Sequence, residues 1–388
     1  VWNVVAVGVE DWLPFVPSLD ANLEDGWSWK RVLNGVGTGE FTIRTKAPGA
    51  ELDAETVAKL GRDGWRTLIV VEWIEGDQRT AMYAGFVTSL PDYDPVSGVL
   101  RLRTQDARAI LRKRGIMPVD LNYQGESFGA QVGNIKDAVI LFVRGALIGG
   151  VNGDRSLDWR GRAGWALPVT IIDDAWVVDD GEDYRVDVRG RSAEDIIADL
   201  QDREDAPDID FQPVWDGDSL AWQVIVDLDP HRWDVLLSYD PHPTAQAEMT
   251  GFRMQAEYQH QVTALTAIGG GSGKSMIQIP VTHDTIRATP HQGLDLEESV
   301  SGKQDDRRED VRSMGIAELR KLRRGIRQYS FGVHTSERHP PTQFVPGAHV
   351  LHDYPGDPFT PAQRMEHLIL SVEGGPGPEL GLEVAQVG

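Results

Sequence analysis

The chain contains no cysteine in 388 residues. That absence excludes a disulfide framework and any thiolate metal site. It also lacks a run of about 18 or more apolar residues, the length a helix needs to cross a bilayer, so no membrane span is expected. Val1 to Glu10 alternate apolar with small or polar residues and carry no signal-peptide pattern. Positive charge is scarce. Lys and Arg number 38 against 60 Asp and Glu, a formal net charge of -22. A sequence-independent grip on nucleic acid needs clustered cations, so that class of function is disfavoured.

Catalytic signatures are missing too. Gly269-Gly270-Gly271-Ser272-Gly273-Lys274-Ser275 looks at first like a phosphate loop. That loop needs glycine where Ile268 stands, and it must open a helix. Met276-Ile277-Gln278-Ile279-Pro280 follows instead, an alternating strand closed by proline. His349, His352 and Asp353 are close in sequence, but a strand puts the two histidines on opposite faces. The two-histidine helical zinc motif does not occur. No Gly-x-Ser-x-Gly elbow appears. The Asp-rich stretches Asp173-Asp174, Asp179-Asp180 and Asp202–Asp210 lack the spacing of a calcium loop and read as surface acid. Acidic residues and 12 Trp would suit a glycosidase, yet sequence places no two carboxylates in one cleft. Neither an enzyme, a cofactor nor a metal is expected.

What is present is β-rich. Hydrophobic residues make up 40% and charged residues 25%, an ordinary globular balance with material for two to four domains at roughly 100–200 residues each. The most informative stretch is Gly26 to Arg44. Trp27 and Trp29 share one strand face, Asn34-Gly35 turns the chain, and Phe41 and Ile43 share a face on the return. Val1–Val9, Thr67–Ile74, Arg79–Ser89 and Val99–Arg103 read as further strands, with a short helix over Leu52–Leu60 capped by Asp53. The spacing therefore predicts a small β-barrel over residues 1–104.

A helix is expected over Asp106–Arg114, capped by Asp106. Arg108, Arg112, Lys113 and Arg114 make it basic. The plain reading is cations complementing a helix C-terminus; the sharper one is a subunit contact with an acidic neighbour. Residues 105–245 read as mixed α+β. Helices are predicted over Lys136–Leu147 and from a Ser192–Asp195 capping box, with a polar loop over Gly149–Gly164. Ile209–Val214 and Ala221–Val226 form a hairpin across Asp216-Gly217. Residues 246–283 and 328–388 return to strands. Between them, 284–327 is read as an insertion, with an irregular acidic part over Asp284–Ser301 and a long helix over Asp306–Arg324. That helix places Val311, Leu319, Leu322 and Ile326 on one side. The hairpin Leu368–Ser371 to Leu380–Val384 repeats the design of Gly85–Ser89 to Gly98–Leu102, as a diverged internal duplication would.

Four places taken in order resemble the baseplate hub, or tail-associated, proteins of long-tailed phages, the minor tail proteins of the actinobacteriophage type. They are Trp27–Ile43; Tyr83–Val87 with Gly98–Arg103 and the Asp106–Leu111 helix; Gln261–Gly270; and Tyr354-Pro355-Gly356-Asp357-Pro358. The resemblance implies a β-rich α+β fold: two small β-barrels of tail-hub type, an α+β domain between them, and a helical insertion in the second. It implies a structural protein whose homotrimer makes a pseudo-sixfold ring continuing the tail tube. Partners would be the distal tail protein or tube, a central tail fibre or other minor tail proteins, and the tape-measure protein. DNA would pass through the ring without being specifically bound, helped by an acidic lumen. The implied location is the virion tail tip, and the host cytoplasm during assembly. Because the last strand ends near Val387, a bare hub without a cell-wall enzyme is implied. The exposed turn Asn34, Gly35, Gly37 and Gly39 becomes the candidate contact with a neighbouring ring, and Trp27 and Trp29 become barrel core. The rival readings are a carbohydrate-binding or glycan-hydrolysing tail protein and a receptor-binding adhesion module.

Overall fold

The computed structural model describes residues 1–24, 26–61, 64–115, 128–131, 134–148, 166–172, 183–186, 191–202, 206–228, 233–239, 248–257, 261–271, 276–282, 296–301, 308–322, 326–358 and 361–387. The first part contains β1 (Trp2–Gly8), β2 (Pro14–Val16), β3 (Ser28–Val32), β4 (Thr38–Arg44), the short β5 (Lys46–Ala47) and β6 (Ala50–Glu51), α1 (Ala54–Gly61), β7 (Thr67–Glu75), β8 (Gln78–Asp94) and β9 (Val99–Gln105). A 3-10 turn, Ala107–Lys113, follows. The middle part has β10 (Phe128–Gln131), α2 (Ile135–Leu147), β11 (Val169–Ile172), β12 (Asp183–Val186), α3 (Ala193–Gln201), β13 (Asp208–Asp216) and β14 (Ser219–Asp227). The last part has β15 (Asp234–Leu237), β16 (Met249–Glu257), β17 (Ala264–Ile268), β18 (Gln278–Thr282), β19 (Glu297–Ser301), a helix over Arg308–Leu322, β20 (Ile326–His334), β21 (His349–Tyr354), β22 (Gln363–Gly374) and β23 (Glu379–Gln386).

Local signals account for much of this. Asp53 accepts the Thr56 N–H at 2.7 Å and starts α1. Asn134 caps α2 through the Asp137 N–H, and Ser192 and Asp195 close a reciprocal capping box on α3. Trp29 is 1% exposed and stacks on Tyr83, and Trp27 stacks on Phe41, so both tryptophans are core. β1 and β7 are apolar on both faces for a clear reason. Val5, Val7, Leu68 and Val70 pack toward α2, α3, β13 and β14. Their neighbours Val4, Ala6, Ile69 and Val71 pack toward Trp27, Trp29 and Phe41 and on to β20–β23. A strand buried on both sides shows no alternation.

Pairing between strands corrects three expectations. First, most strands expected in two separate barrels form, together with β15 from the segment expected to be α+β, one 13-stranded sheet, in the order β16-β20-β23-β22-β3-β4-β9-β8-β7-β1-β2, with β21 on β22 and β15 on β21. Among the described residues this path is open, and neither half closes into a barrel. β22 makes the join. Its first part pairs with β21, while Ser371 to Gly374 pair with Val32 to Trp29 of β3. Second, β17 and β18 do not belong to this sheet. They pair with each other and, through β17, with β19. The helix Arg308–Leu322 covers them, burying Val311, Met314, Leu319 and Leu322 against Leu265, Ala267, Ile279 and Val281. A Cβ on Gly315 would stand 2.8 Å from the Ala267 Cβ, so glycine sets how closely helix and sheet approach. Third, Glu297–Ser301, expected to be irregular, is β19, and Ile326, expected on the helix face, begins β20. The loop 149–164, the Asp pairs at 173–174 and 179–180, and residues 284–295 lie outside the described residues.

Candidate functional site

The Asn34 turn and the basic turn after β9 meet at the seam between the N-terminal strands and the middle segment. Asn34 adopts φ 57°, a conformation asparagine tolerates. Its side-chain oxygen accepts the Ile209 N–H at 2.8 Å and the Gln201 amide at 2.6 Å, and its amide nitrogen donates to Asp208. The turn is thus anchored on β13 and α3. Gly37 and Gly39 are buried. The Gly37 N–H donates to the Asp106 carboxylate at 2.7 Å, and a Cβ there would lie 2.6 Å from the same oxygen. A Cβ on Gly39 would meet Phe41 and Thr104 at 2.7 Å. Gly35 is half-buried.

The basic segment is a 3-10 turn rather than an α-helix, and its four cations do not share a surface. Asp106 caps it by accepting the Arg108 N–H at 3.1 Å. Arg108 is 1% exposed. Its Nε donates to both Glu194 oxygens, at 3.1 and 3.2 Å, and Nη2 donates to Gln201 at 3.0 Å. Arg114 donates to the Ala146 carbonyl at 2.8 Å, and burial lowers its pKa to about 10. Arg112 and Lys113 alone face solvent. Burial pushes Asp106 up to about 7, against the Gly37 N–H and the nearby Arg108 and Arg31 charges.

Two more contacts tie the same seam. Arg31 of β3, 3% exposed, directs Nη2 at both oxygens of Asp210 on β13, at 2.9 and 2.8 Å. Arg79 stacks on Trp215 with its guanidinium carbon 4.1 Å from the ring centre, and donates to the buried Glu72 at 3.1 Å. Sequence reading missed these pairs, and no local signal carries them.

A groove of about 910 Å³ lies where β3, β4 and β9 meet β22 and β23. Lys30, Glu40, Arg103, Glu373 and Glu379 line it among glycines and small polar residues. The charges are mostly paired, Lys30 with Glu383 at 2.8 Å and Arg103 with Glu40 at 2.9 Å.

Gly269 and Ile277 exchange backbone hydrogen bonds with Ile277 and Gly270, so strands β17 and β18 flank the glycine run on both sides; Ser272 to Ser275 lie outside the described residues. His349 and His352 do fall on opposite faces of β21. His352 is fully buried, with its Nε2 3.1 Å from Nε2 of His367, also fully buried. Tyr239, Phe252, Tyr329, Phe331 and Tyr354 surround the pair. The ring centres are 5.2 Å apart with 9° between planes, and the Nε2–Nε2 contact can be one hydrogen bond whose donor depends on the tautomer. Neither Nδ1 has a hydrogen-bond partner among the described residues. Burial lowers both rings, His367 to about 4.

No family model matches the chain, and no curated protein matches it. Solved structures do. The chain is similar to the tail protein from Neisseria meningitidis MC58, with TM-score 0.56 and 10% identity over 100% of this chain and 96% of that one. It is also similar to the 43 kDa tail protein of prophage MuSo2 from Shewanella oneidensis, with TM-score 0.56 and 12% identity over 99% and 98% of the two chains. Prophage tail protein gp18 from Listeria monocytogenes EGD-e gives TM-score 0.51 and 13% identity over 98% and 94%. At these identities the likeness is one of fold, and it spans the whole chain. The class that the architecture defines is therefore a mostly β chain with the fold of phage tail proteins.

Proposed function

We propose that this chain is a structural hub protein of a phage tail tip. The observation that carries the reading is the end-to-end similarity in fold to three tail proteins, each covered over 94% or more of its length. In this reading the strands of residues 1–104 and those of 249–257 and 326–386 are two barrel-like halves of one ring-forming unit. Joined through β22 and β3, they would let three copies match a sixfold tube. Of residues 105–245, those up to β14 form the outer α+β domain, while β15 lies on β21 in the C-terminal strand set; β17, β18, β19 and the helix Arg308–Leu322 form a side unit. The ring continues the tail tube, seats a central fibre, and passes DNA without binding it. The net charge of -22 supports that last point, since an acidic surface repels phosphates.

Arg112 and Lys113, left exposed after Arg108 and Arg114 turn inward, are the cations available to an acidic neighbour. The face of the Asn34–Gly39 turn open to contact narrows to Asn34 and to Thr38, which lines the groove. Trp27 and Trp29 are core, which removes the sugar-stacking platform on which a glycan-binding reading would draw. Mass measurement and imaging of the purified chain test the proposal. A threefold ring with two strand layers per copy is expected; a stable monomer that engages no tail protein overturns it.

A further inference from the structure

Three side chains from three neighbouring strands meet on the outer face of the C-terminal strand set. Asp234 on β15 is the direct register partner of His349 on β21. Glu366 on β22 opposes Leu351, and reaches diagonally to His349, with Oε1 2.7 Å from Nδ1. Val235, Val350, Met365 and His367, their chain neighbours, point into the core, which leaves these three on the outer side. One donor atom from each residue lies within 4.8 Å of the donors of the other two. The imidazole side chain is 18% exposed and the Glu366 side chain 43%, so a core of protein sits on one side and water on the other.

We propose that Asp234, His349 and Glu366 bind a divalent transition-metal ion, with Zn²⁺ as the representative. The donor set decides the class. An imidazole nitrogen suits zinc, nickel or copper, whereas Ca²⁺ and Mg²⁺ select shells of oxygen. Two carboxylates balance the charge of a dication. Three protein ligands facing solvent leave the remaining position to water. The consequence is structural. Among the described residues β15 is held to the sheet through β21 alone, and the ion would pin it to β21 and β22 together. The spacing His349–His352 suggests a different pair, which the strand splits across its two faces. The set that does assemble comes from distant parts of the chain.

The test is calorimetric titration of the full chain, stripped with a chelator, against Zn²⁺ and then Ca²⁺. One Zn²⁺ per chain is expected, with affinity falling about tenfold or more in His349→Ala and again in Glu366→Gln. Far-UV circular dichroism without metal confirms that each variant is folded. No saturable binding in the micromolar range, unchanged binding in both variants, or preference for Ca²⁺ over Zn²⁺ each overturns the assignment. A readout that needs no variant is pulsed EPR of the Cu²⁺-loaded chain. A single coordinated imidazole is expected, and none or several refutes the site.

Discussion

Asp106 lies beneath the Gly37–Gly39 turn in the N-terminal strands, and His352 and His367 lie inside an aromatic box in the C-terminal strands. The same desolvation acts on both places, but it favours the neutral form, which is protonated for a carboxylic acid and deprotonated for an imidazole. Asp106 therefore rises from 3.8 to about 7, and His367 falls from 6.5 to about 4. Between pH 6.5 and 4 the unfolded chain holds more protons on the histidines than the folded one, so their contribution is fully present above pH 6.5 and is lost as pH drops. Between pH 3.8 and 7 the folded chain holds the extra proton on Asp106, so stability is lost as pH rises. The two regions oppose each other over nearly the same window, so their contributions partly cancel in the intact chain. The N-terminal seam differs in a second way. It buries full charges in pairs, Arg31 with Asp210 and Arg108 with Glu194, where the C-terminal interior keeps its polar atoms neutral.

The sharpest way to break this contrast is to remove one partner of a buried pair. Arg31→Ala should cost about 3–5 kcal/mol, because Asp210 stays buried without its guanidinium. Urea unfolding measures it. The double change Arg31→Met with Asp210→Leu should recover most of the loss, since apolar replacements carry no desolvation penalty.

Asp106→Asn removes the group whose stability is lost with rising pH. The variant's stability should climb more steeply than that of the parent between pH 4 and 7, by a total on the order of 4 kcal/mol. Urea midpoints across that range decide it; parallel profiles would mean that Asp106 titrates normally. His367→Phe has the opposite effect and a smaller one. It should abolish an acid loss on the order of 3 kcal/mol between pH 6.5 and 4, while costing about 1–3 kcal/mol at pH 8, where His352 is left buried without its ring partner. An unchanged acid limb would assign that loss to other groups.

The smallest effect on stability is expected at the surface end of the basic turn. Arg112→Glu with Lys113→Glu should shift unfolding free energy by less than about 0.5 kcal/mol, as exposed substitutions usually do. The same double variant should lose the assembled ring if those cations meet an acidic neighbour, which mass measurement would read. Loss of stability instead would place Arg112 and Lys113 with Arg108, as parts of the seam.

Sequence reading located the elements well wherever the cause is local. The Trp27–Arg44 hairpin, the Asp216-Gly217 turn, the Asp53 cap and the Ser192–Asp195 box each depend on residues within a few positions of one another. It did less well on which cations are surface. Arg108 reads as one of four solvated charges on a short basic turn, and its burial depends on Glu194, 86 residues away. Asn34 reads as an exposed loop tip, and its partners are Asp208, Ile209 and Gln201. His352 and His367 look unrelated because they sit on different strands with a turn between them.

By itself, the sequence determined the alternation that makes strands, the caps and glycine turns that end them, the two buried tryptophans, the excess of acid, and the absence of thiols. These follow from backbone and side-chain chemistry acting over one or two turns of chain. Only the tertiary structure decided that β22 would join the two strand sets into one sheet, that β17 and β18 would leave it for a sheet of their own, and that Asp234, His349 and Glu366 would meet. Hydrogen bonding along a strand edge carries no sequence code for its partner. The choice is made by how many apolar side chains each pairing removes from water, a sum over the whole chain.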